Sequence, residues 1–262
     1  MIDDRALSDL FVVSLARELR DGERLFVGAN QIDVAFAAYL ARRLWAPRLR
    51  IWAAGAAQID RALDGFVVGR RTNDVEMTAA RGASFSQGRA FEDVRAPVVF
   101  AGGLQVDARG DANLVGIRAP DGRWRLRGPG SAGLPTLTAL SPRFFIMVPR
   151  HDPRSLVERC SAISVVGDPV RRAELGLRPD ALQAVITPLA TFVPTAAGLQ
   201  LRELAPGVTR VDVAERTGFA VRESAAVAER RPVTGEEAAA LAQLRADVER
   251  NRGRDLAVAV AG

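Results

Sequence analysis

A strand, a glycine turn, a helix and a second strand follow one another near the start of the chain, and this order constrains the fold most. The apolar residues 24–27 predict a short strand, and Gly28 opens the turn after it. Residues 32–44 carry apolar side chains at helical spacing, and residues 49–53 predict the next strand, which Gly55 follows. This alternation is typical of an α/β fold with parallel strands.

The same reading extends to the end of the chain. The predicted helices are residues 4–20, a short helix within 206–217, and 236–248; the further predicted strands are 96–101, 144–148, 160–166 and 182–187. Residues 70–93 are polar and predict a long loop with some helix, and residues 105–133 place glycine, proline and asparagine at loop-like positions. We therefore expect one domain over residues 1–262, built as a single open, mostly parallel sheet flanked by helices.

The rarer residue types exclude whole classes of chemistry. All 36 basic residues are arginine, so Schiff-base chemistry and the phosphate-loop lysine are impossible. His151 is the single histidine and Cys160 the single cysteine, which excludes a histidine-rich zinc site and a disulfide framework. No metal is expected. No Gly-x-Ser-x-Gly elbow exists to serve a Ser-His-Asp triad.

Charge and hydropathy narrow the partners. The net charge of +5 comes from arginines spread along the chain among 31 acidic residues, so we expect no nucleic-acid partner. No apolar run approaches the roughly 18–20 residues of a membrane span, and the acidic first residues do not resemble a signal peptide. We expect a cytoplasmic protein with no membrane partner.

Four stretches carry a more specific pattern. Residues 26–47 give a strand, a glycine turn, a helix and an Ala-Pro pair, and residues 102–113 read Gly-Gly-Leu-Gln-Val-Asp-Ala-Arg-Gly-Asp-Ala-Asn. Residues 128–133 read Gly-Pro-Gly-Ser-Ala-Gly, and residues 206–219 contain Pro-Gly-Val-Thr and Thr-Gly-Phe. In this order, over about residues 5–250, the chain resembles the β subunits of family I CoA-transferases, such as that of glutaconate CoA-transferase.

The resemblance implies an acyl-CoA substrate, with coenzyme A as part of that substrate and no covalently bound cofactor. It also implies a homologous α subunit, in a heterodimer or an α2β2 tetramer. The residues expected to bind the substrate or its CoA are Gly28, Gly55, Gly102, Gly103, Gln105, Gly128 and Gly130. Glycines directly after buried strands let a ligand approach the backbone and expose N–H donors that can stabilise a thioester oxyanion.

One departure from the family pattern concerns the reaction itself. Family β subunits carry a nucleophilic glutamate at the end of the second strand, and Ala53 stands at that position here. The departure implies hydrolysis or C–C bond cleavage, as in the cholesterol ring-cleaving hydrolases, whose Gly-x-Ala-Gln segment residues 55–58 resemble. Two alternatives stay open: a CoA-transferase with a relocated nucleophile, and a non-catalytic subunit that binds acyl-CoA.

The remaining polar residues have simpler interpretations. Asp107 and Asn113 suit a turn whose backbone groups need side-chain partners. His151 suits a loop or helix cap, and Cys160 a small buried apolar residue at the start of a strand. Arg125 and the neighbouring Arg127 are favoured as solvated charges on a strand face, with contact to CoA phosphates as the alternative.

Overall fold

A computed structural model describes residues 4–28, 31–53, 58–59 and 98–260 of the chain. The helices are α1 Asp4–Arg17, α2 Ile32–Leu44, α3 Leu134–Leu140, α4 Pro169–Glu174, α5 Arg210–Glu215 and α6 Gly235–Val260. The strands are β1 Arg24–Val27, β2 Arg50–Ala53, β3 Gln58–Ile59, β4 Val98–Gly102, β5 Gln105–Asp107, β6 Ala112–Asn113, β7 Gly116–Arg118, β8 Trp124–Arg127, β9 Phe144–Met147, β10 Leu156–Val157, β11 Leu182–Ile186, β12 Ala190–Thr195, β13 Gly198–Leu204 and β14 Arg222–Glu229.

The chain divides into two compact units. The first unit comprises Met1–Phe11 and Val98–Pro232, and the second comprises Val12–Pro97 and Val233–Gly262. The expectation of one domain over residues 1–262 stays a prediction. None of the described helices is both long and apolar enough to cross a membrane.

The second unit contains the strand–helix–strand segment that the sequence predicts. β1 pairs in parallel with β2, and Val27 lies opposite Ala53 at the carboxyl ends of the two strands. The connecting helix α2 buries a face rich in alanine, and α6 packs against α2. Small side chains on a helix face allow this close approach, so a short apolar sequence is enough to cover the strands.

The first unit holds a six-stranded sheet in the order β14-β13-β12-β11-β9-β4. β4, β9 and β11 run parallel, β12 and β13 form an antiparallel hairpin, and β14 runs parallel to β13. Phe100 stacks on Phe145 with ring centroids 5.0 Å apart, and both rings are fully buried. The predicted α/β class, with an open, mostly parallel sheet flanked by helices, is confirmed.

Three predictions for the first unit need correction. Residues 160–166 form no strand beyond an isolated bridge between Ala112 and Val165. Residues 105–133 are not continuous loop, because β5, β6, β7 and β8 lie within them. The hairpin of β12 and β13 was not predicted.

Candidate substrate-binding site

Two glycines follow the buried strand β4 and let the chain fold back on itself. Gly102 ends β4 and Gly103 comes next. A Cβ atom at position 103 would lie 2.8 Å from the backbone oxygen of Gln105, so a side chain there would displace backbone. The N–H of Leu104 donates to the Asn113 carbonyl over 2.7 Å, which brings the start of β5 beside the end of β6.

The side-chain amide of Gln105 is fixed through its oxygen. Oε1 accepts from Asn113 Nδ2 over 2.8 Å and from the Ser161 N–H over 3.2 Å. Because a backbone N–H can only donate, the atom that faces Ser161 must be the oxygen. Nε2 makes no hydrogen bond to any described residue, although Gln105 is only 7% exposed. A nearly buried amide thus keeps its donors for a ligand.

Asn113 holds Gln105 in place and is itself completely buried. Its Oδ1 accepts from the N–H groups of Val115 and Gly116, and its Nδ2 donates to the Gly116 carbonyl as well as to Gln105. These contacts use both donors and both acceptor positions of the amide. Asn113 therefore closes the turn after β6, the role that the sequence favours, and leaves nothing for a ligand.

Asp107 organises the turn between β5 and β6 in the same way. Its carboxylate accepts from the N–H groups of Arg109, Asp111 and Cys160 over 3.0–3.2 Å. Burial raises the pKa of Asp107 and outweighs these hydrogen bonds. Burial, with the nearby charges of Asp107 and Asp111, also raises the pKa of the Cys160 thiol well above its usual range. The thiol stays protonated and is no nucleophile.

The Gly128–Gly130 loop is tied to the turn that Asn113 closes. The N–H of Gly128 donates to the Val115 carbonyl over 2.9 Å, and the N–H of Gly130 donates to the Leu114 carbonyl over 3.2 Å. A Cβ at position 128 would lie 2.6 Å from a methyl carbon of Leu104. The structure therefore brings Gly102, Gly103, Gln105, Gly128 and Gly130 into one connected region of the first unit.

Two serines reinforce this connection. Ser131, which stands where the family has a glycine, donates from its hydroxyl to Ser164 Oγ over 2.9 Å. Ser164 Oγ also accepts from the N–H of Leu114 over 2.9 Å. Sequence reasoning missed Ser161 and Ser164, because it placed both in a strand rather than in a loop that supplies N–H and hydroxyl groups to this region.

The other predicted site residues lie in the second unit. Gly28 follows β1, and its N–H donates to Gln31 Oε1 over 2.7 Å. Ala53 ends β2, so no carboxylate is present at the position of the family glutamate. Gly55, and the acidic residues Asp74, Glu76 and Glu92 considered as replacements, lie outside the described residues.

His151 is locked between two threonines. Nδ1 lies 2.8 Å from Thr187 Oγ1, and Nε2 lies 3.0 Å from Thr217 Oγ1. Burial lowers the pKa of His151 to about 4, and the charges of Arg216 and Arg230 add to this effect. The ring joins the loop after β9 to the ends of β11 and α5, which indicates a structural role. Among the described residues, no three His, Cys, Asp or Glu side chains are grouped to hold a metal ion.

Comparisons with known proteins agree with this arrangement. No protein-family model matches the chain. The chain is 29% identical over 249 residues to the β subunit of 3-oxoadipate CoA-transferase from Pseudomonas knackmussii, a match that covers 91% of this chain and 93% of the relative.

Two solved structures are similar over most of the chain. The decarboxylase AibA/AibB is 26% identical with a TM-score of 0.75, and the match covers 91% of this chain and 94% of that one. Glutaconate CoA-transferase of Acidaminococcus fermentans is 20% identical with a TM-score of 0.67, covers 89% and 92% of the two chains, and supports the fold alone.

Fold and similarities together define the class. The chain has the fold of the CoA-transferase superfamily. Within that superfamily it is similar to the β subunits, so the resemblance predicted from the sequence is confirmed.

Proposed function

We propose that this chain is the β subunit of a heteromeric enzyme that acts on an acyl-CoA thioester by hydrolysis or C–C bond cleavage. The observation that carries the reaction class is Ala53, the last residue of β2, opposite Val27 at the carboxyl ends of two parallel strands. A methyl group cannot attack a thioester, so no covalent acyl intermediate forms at this position. Decarboxylation is itself a C–C bond cleavage, and the similarity to the decarboxylase AibA/AibB supports the proposal.

The substrate contacts are assigned to the glycine turns and to Gln105. Gly102, Gly103, Gly128 and Gly130 surround Gln105 in the first unit, and Gly28 and Gly55 are assigned to the same task in the second unit. The Nε2 donors of Gln105 suit the thioester carbonyl oxygen, because charge grows on that oxygen as the acyl group reacts. Gln105 is then a catalytic residue, and Asn113 is the positioning residue that fixes its amide.

A homologous α subunit completes the proposed enzyme, as a heterodimer or an α2β2 tetramer. The matched relative is one subunit of a CoA-transferase, and AibA/AibB is also named for two components. We assign the catalytic carboxylate to the α subunit, where it acts as a base rather than as an acyl carrier. Coenzyme A enters as part of the substrate, and no bound cofactor or metal is assigned.

A second candidate function is CoA transfer with a relocated nucleophile. The observation that favours it is the name of the matched relative, a CoA-transferase subunit. Such a reaction passes through a covalent acyl-enzyme and requires an acceptor acid.

One experiment separates the two reactions. The chain is co-expressed with its α subunit, and the complex is incubated with acyl-CoA with and without an acceptor carboxylate. The proposal predicts a hydrolysed or cleaved product whose yield does not depend on the acceptor, and no mass increase on any peptide of this chain. Acceptor-dependent transfer together with a modified peptide here would establish the second candidate. Tight CoA binding without turnover would contradict both and leave a non-catalytic binding subunit.

A further inference from the structure

The two-stranded hairpin of β7 and β8 carries a concentration of unpaired positive charge. Arg118, Arg123, Arg125 and Arg127 are all exposed, and within the described part of the chain none of their side chains contacts a carboxylate. The hairpin's single acid, Asp121, accepts from the backbone N–H of Arg123 over 3.0 Å. Like charges held this close on a short hairpin favour an anionic ligand.

Trp124 organises two of these arginines before any ligand binds. The guanidinium carbon of Arg118 lies 4.0 Å from the centroid of the indole ring, and that of Arg127 lies 4.9 Å from it. The ring itself packs over Gly116, where an added Cβ would lie 2.9 Å from two of its carbons. Cation–π contacts restrict both guanidinium groups, so less side-chain entropy is lost when they bind an anion.

We propose that this hairpin binds the 3′-phosphoadenosine diphosphate end of the acyl-CoA. The inference rests on the proposed function, because it takes the thioester to lie at the Gly128–Gly130 loop. Guanidinium groups bind phosphate through paired N–H donors, and a CoA molecule presents three phosphate groups. Arg125 and Arg127 thus take the role that the sequence left as the less favoured alternative.

The distance along the hairpin fits the length of CoA. β8 runs directly into Gly128, and a strand rises about 3.3 Å per residue, so Arg125 and Arg123 lie roughly 10–17 Å from the glycine loop. The pantetheine arm, with its two amides, has a contour like that of about four extended residues, or about 14 Å. A thioester at the loop therefore places the phosphates beside the arginines.

Calorimetric titration of the full chain with CoA, dephospho-CoA and pantetheine tests this assignment. The variant is Arg125→Gln/Arg127→Gln, and the control is Arg20→Gln/Arg43→Gln, which removes the same charge from exposed arginines of the second unit. We expect the Kd for CoA to rise about tenfold in the hairpin variant alone, with pantetheine binding unchanged in both. Trp124→Leu, which keeps every charge, should raise the Kd for CoA by a smaller factor.

The contrary outcomes are distinct. Equal CoA affinity in the hairpin variant and the control would overturn the inference and leave the proposed function intact. Failure of the unmodified chain to bind CoA, alone and with its α subunit, would contradict the proposed function itself. Unchanged CoA affinity with lost binding of the α subunit would assign the hairpin to a protein partner instead.

Discussion

The amide of Gln105 has one end bound by the protein and the other end available, and this asymmetry is testable. Gln105→Glu keeps an oxygen for Asn113 and Ser161 and replaces the Nε2 donors with a second oxygen. We expect kcat/KM of the complex with the α subunit to fall about 100-fold at pH 8. Activity should recover as the pH falls, because a buried carboxyl group takes up a proton and can donate again.

The control for this variant is Gln183→Glu in β11. It also removes an amide donor, in this case the one that bonds the Asp180 carbonyl over 2.6 Å. It should leave kcat/KM within a factor of about two of the unmodified complex, which reflects its place away from the glycine turns. Equal losses in the two variants, or a pH-independent loss at Gln105, would show that Gln105 is only structural.

His151 makes stability depend on pH. Its pKa is about 4 in the folded chain against 6.5 for the ordinary group, so between these values the unfolded chain binds more protons. The free energy of unfolding therefore falls as the pH drops from 6.5 towards 4. From the two pKa values, the loss between pH 7.5 and pH 5 is about 2 kcal/mol.

Urea unfolding of the unmodified chain and of His151→Asn at these two pH values measures this contribution. The variant should be less stable at pH 7.5, because the two threonine contacts are disturbed. Its further loss at pH 5 should be smaller than that of the unmodified chain by about 2 kcal/mol. An identical pH dependence would mean that His151 is not buried in its neutral form.

At the scale of elements, the turn between β4 and β5 depends on the absence of a side chain. The atom that a Cβ of Gly103→Ala would meet, at 2.8 Å, belongs to backbone and cannot rotate away. We expect this variant to lower the free energy of unfolding by about 1–3 kcal/mol and to weaken acyl-CoA binding. The control is Gly235→Ala, because an added Cβ there meets nothing within 4 Å. A fully stable Gly103→Ala variant with normal affinity would contradict the description of this turn.

The start of α6 depends on one carboxylate that serves two purposes. Glu237 accepts from the Thr234 N–H over 2.9 Å, and Thr234 Oγ1 accepts from the Glu237 N–H over 3.2 Å, which forms a capping box. Arg17 of α1 donates to the same carboxylate through two nitrogens, at 2.9 Å and 2.6 Å. Burial opposes the charge, but these hydrogen bonds lower the pKa of Glu237 from 4.5 to about 2.

Neutralising this carboxylate should therefore cost stability. We expect Glu237→Gln to lower the free energy of unfolding by about 2 kcal/mol at pH 7, measured by denaturant unfolding. The difference should shrink as the pH falls through 4.5 towards 2, because the native carboxylate then takes up its proton. The exposed neighbour in Glu236→Gln should change stability by less than about 0.5 kcal/mol. Similar effects in the two variants would deny Glu237 its bridging role.

At the scale of the whole molecule, local pattern predicted the strands and helices that are closed by glycine or proline. Residues 24–27, 32–44 and 144–147 are apolar segments whose period or length specifies one element, and they fold as predicted. Residues 160–166 are also apolar, yet they form a loop. The reason is tertiary, because Cys160 and Ser161 donate their N–H groups to side chains on β5 rather than to a neighbouring strand.

The candidate site divides in the same way. The glycines and Gln105 were found from their order along the chain, because a turn after a buried strand leaves a sequence pattern. The unoccupied Nε2 of Gln105 and the threonines around His151 depend on partners that are distant in sequence, and no local pattern specifies them. The Arg118–Trp124 contact was missed for the same reason, since cross-strand register decides it.

The need for a second subunit is the last expectation at this scale. Several large apolar side chains of the first unit stand in contact with solvent, with Leu140 63%, Val211 64% and Leu175 56% exposed. Exposed apolar residues are common singly, but in a subunit of a heteromeric enzyme some of them are covered by the partner. We expect sedimentation velocity to show self-association of the chain alone and a heterodimer or α2β2 tetramer after co-expression with the α subunit. A chain that sediments as a single monomer and binds no α subunit would argue against the heteromeric enzyme, whatever its affinity for CoA.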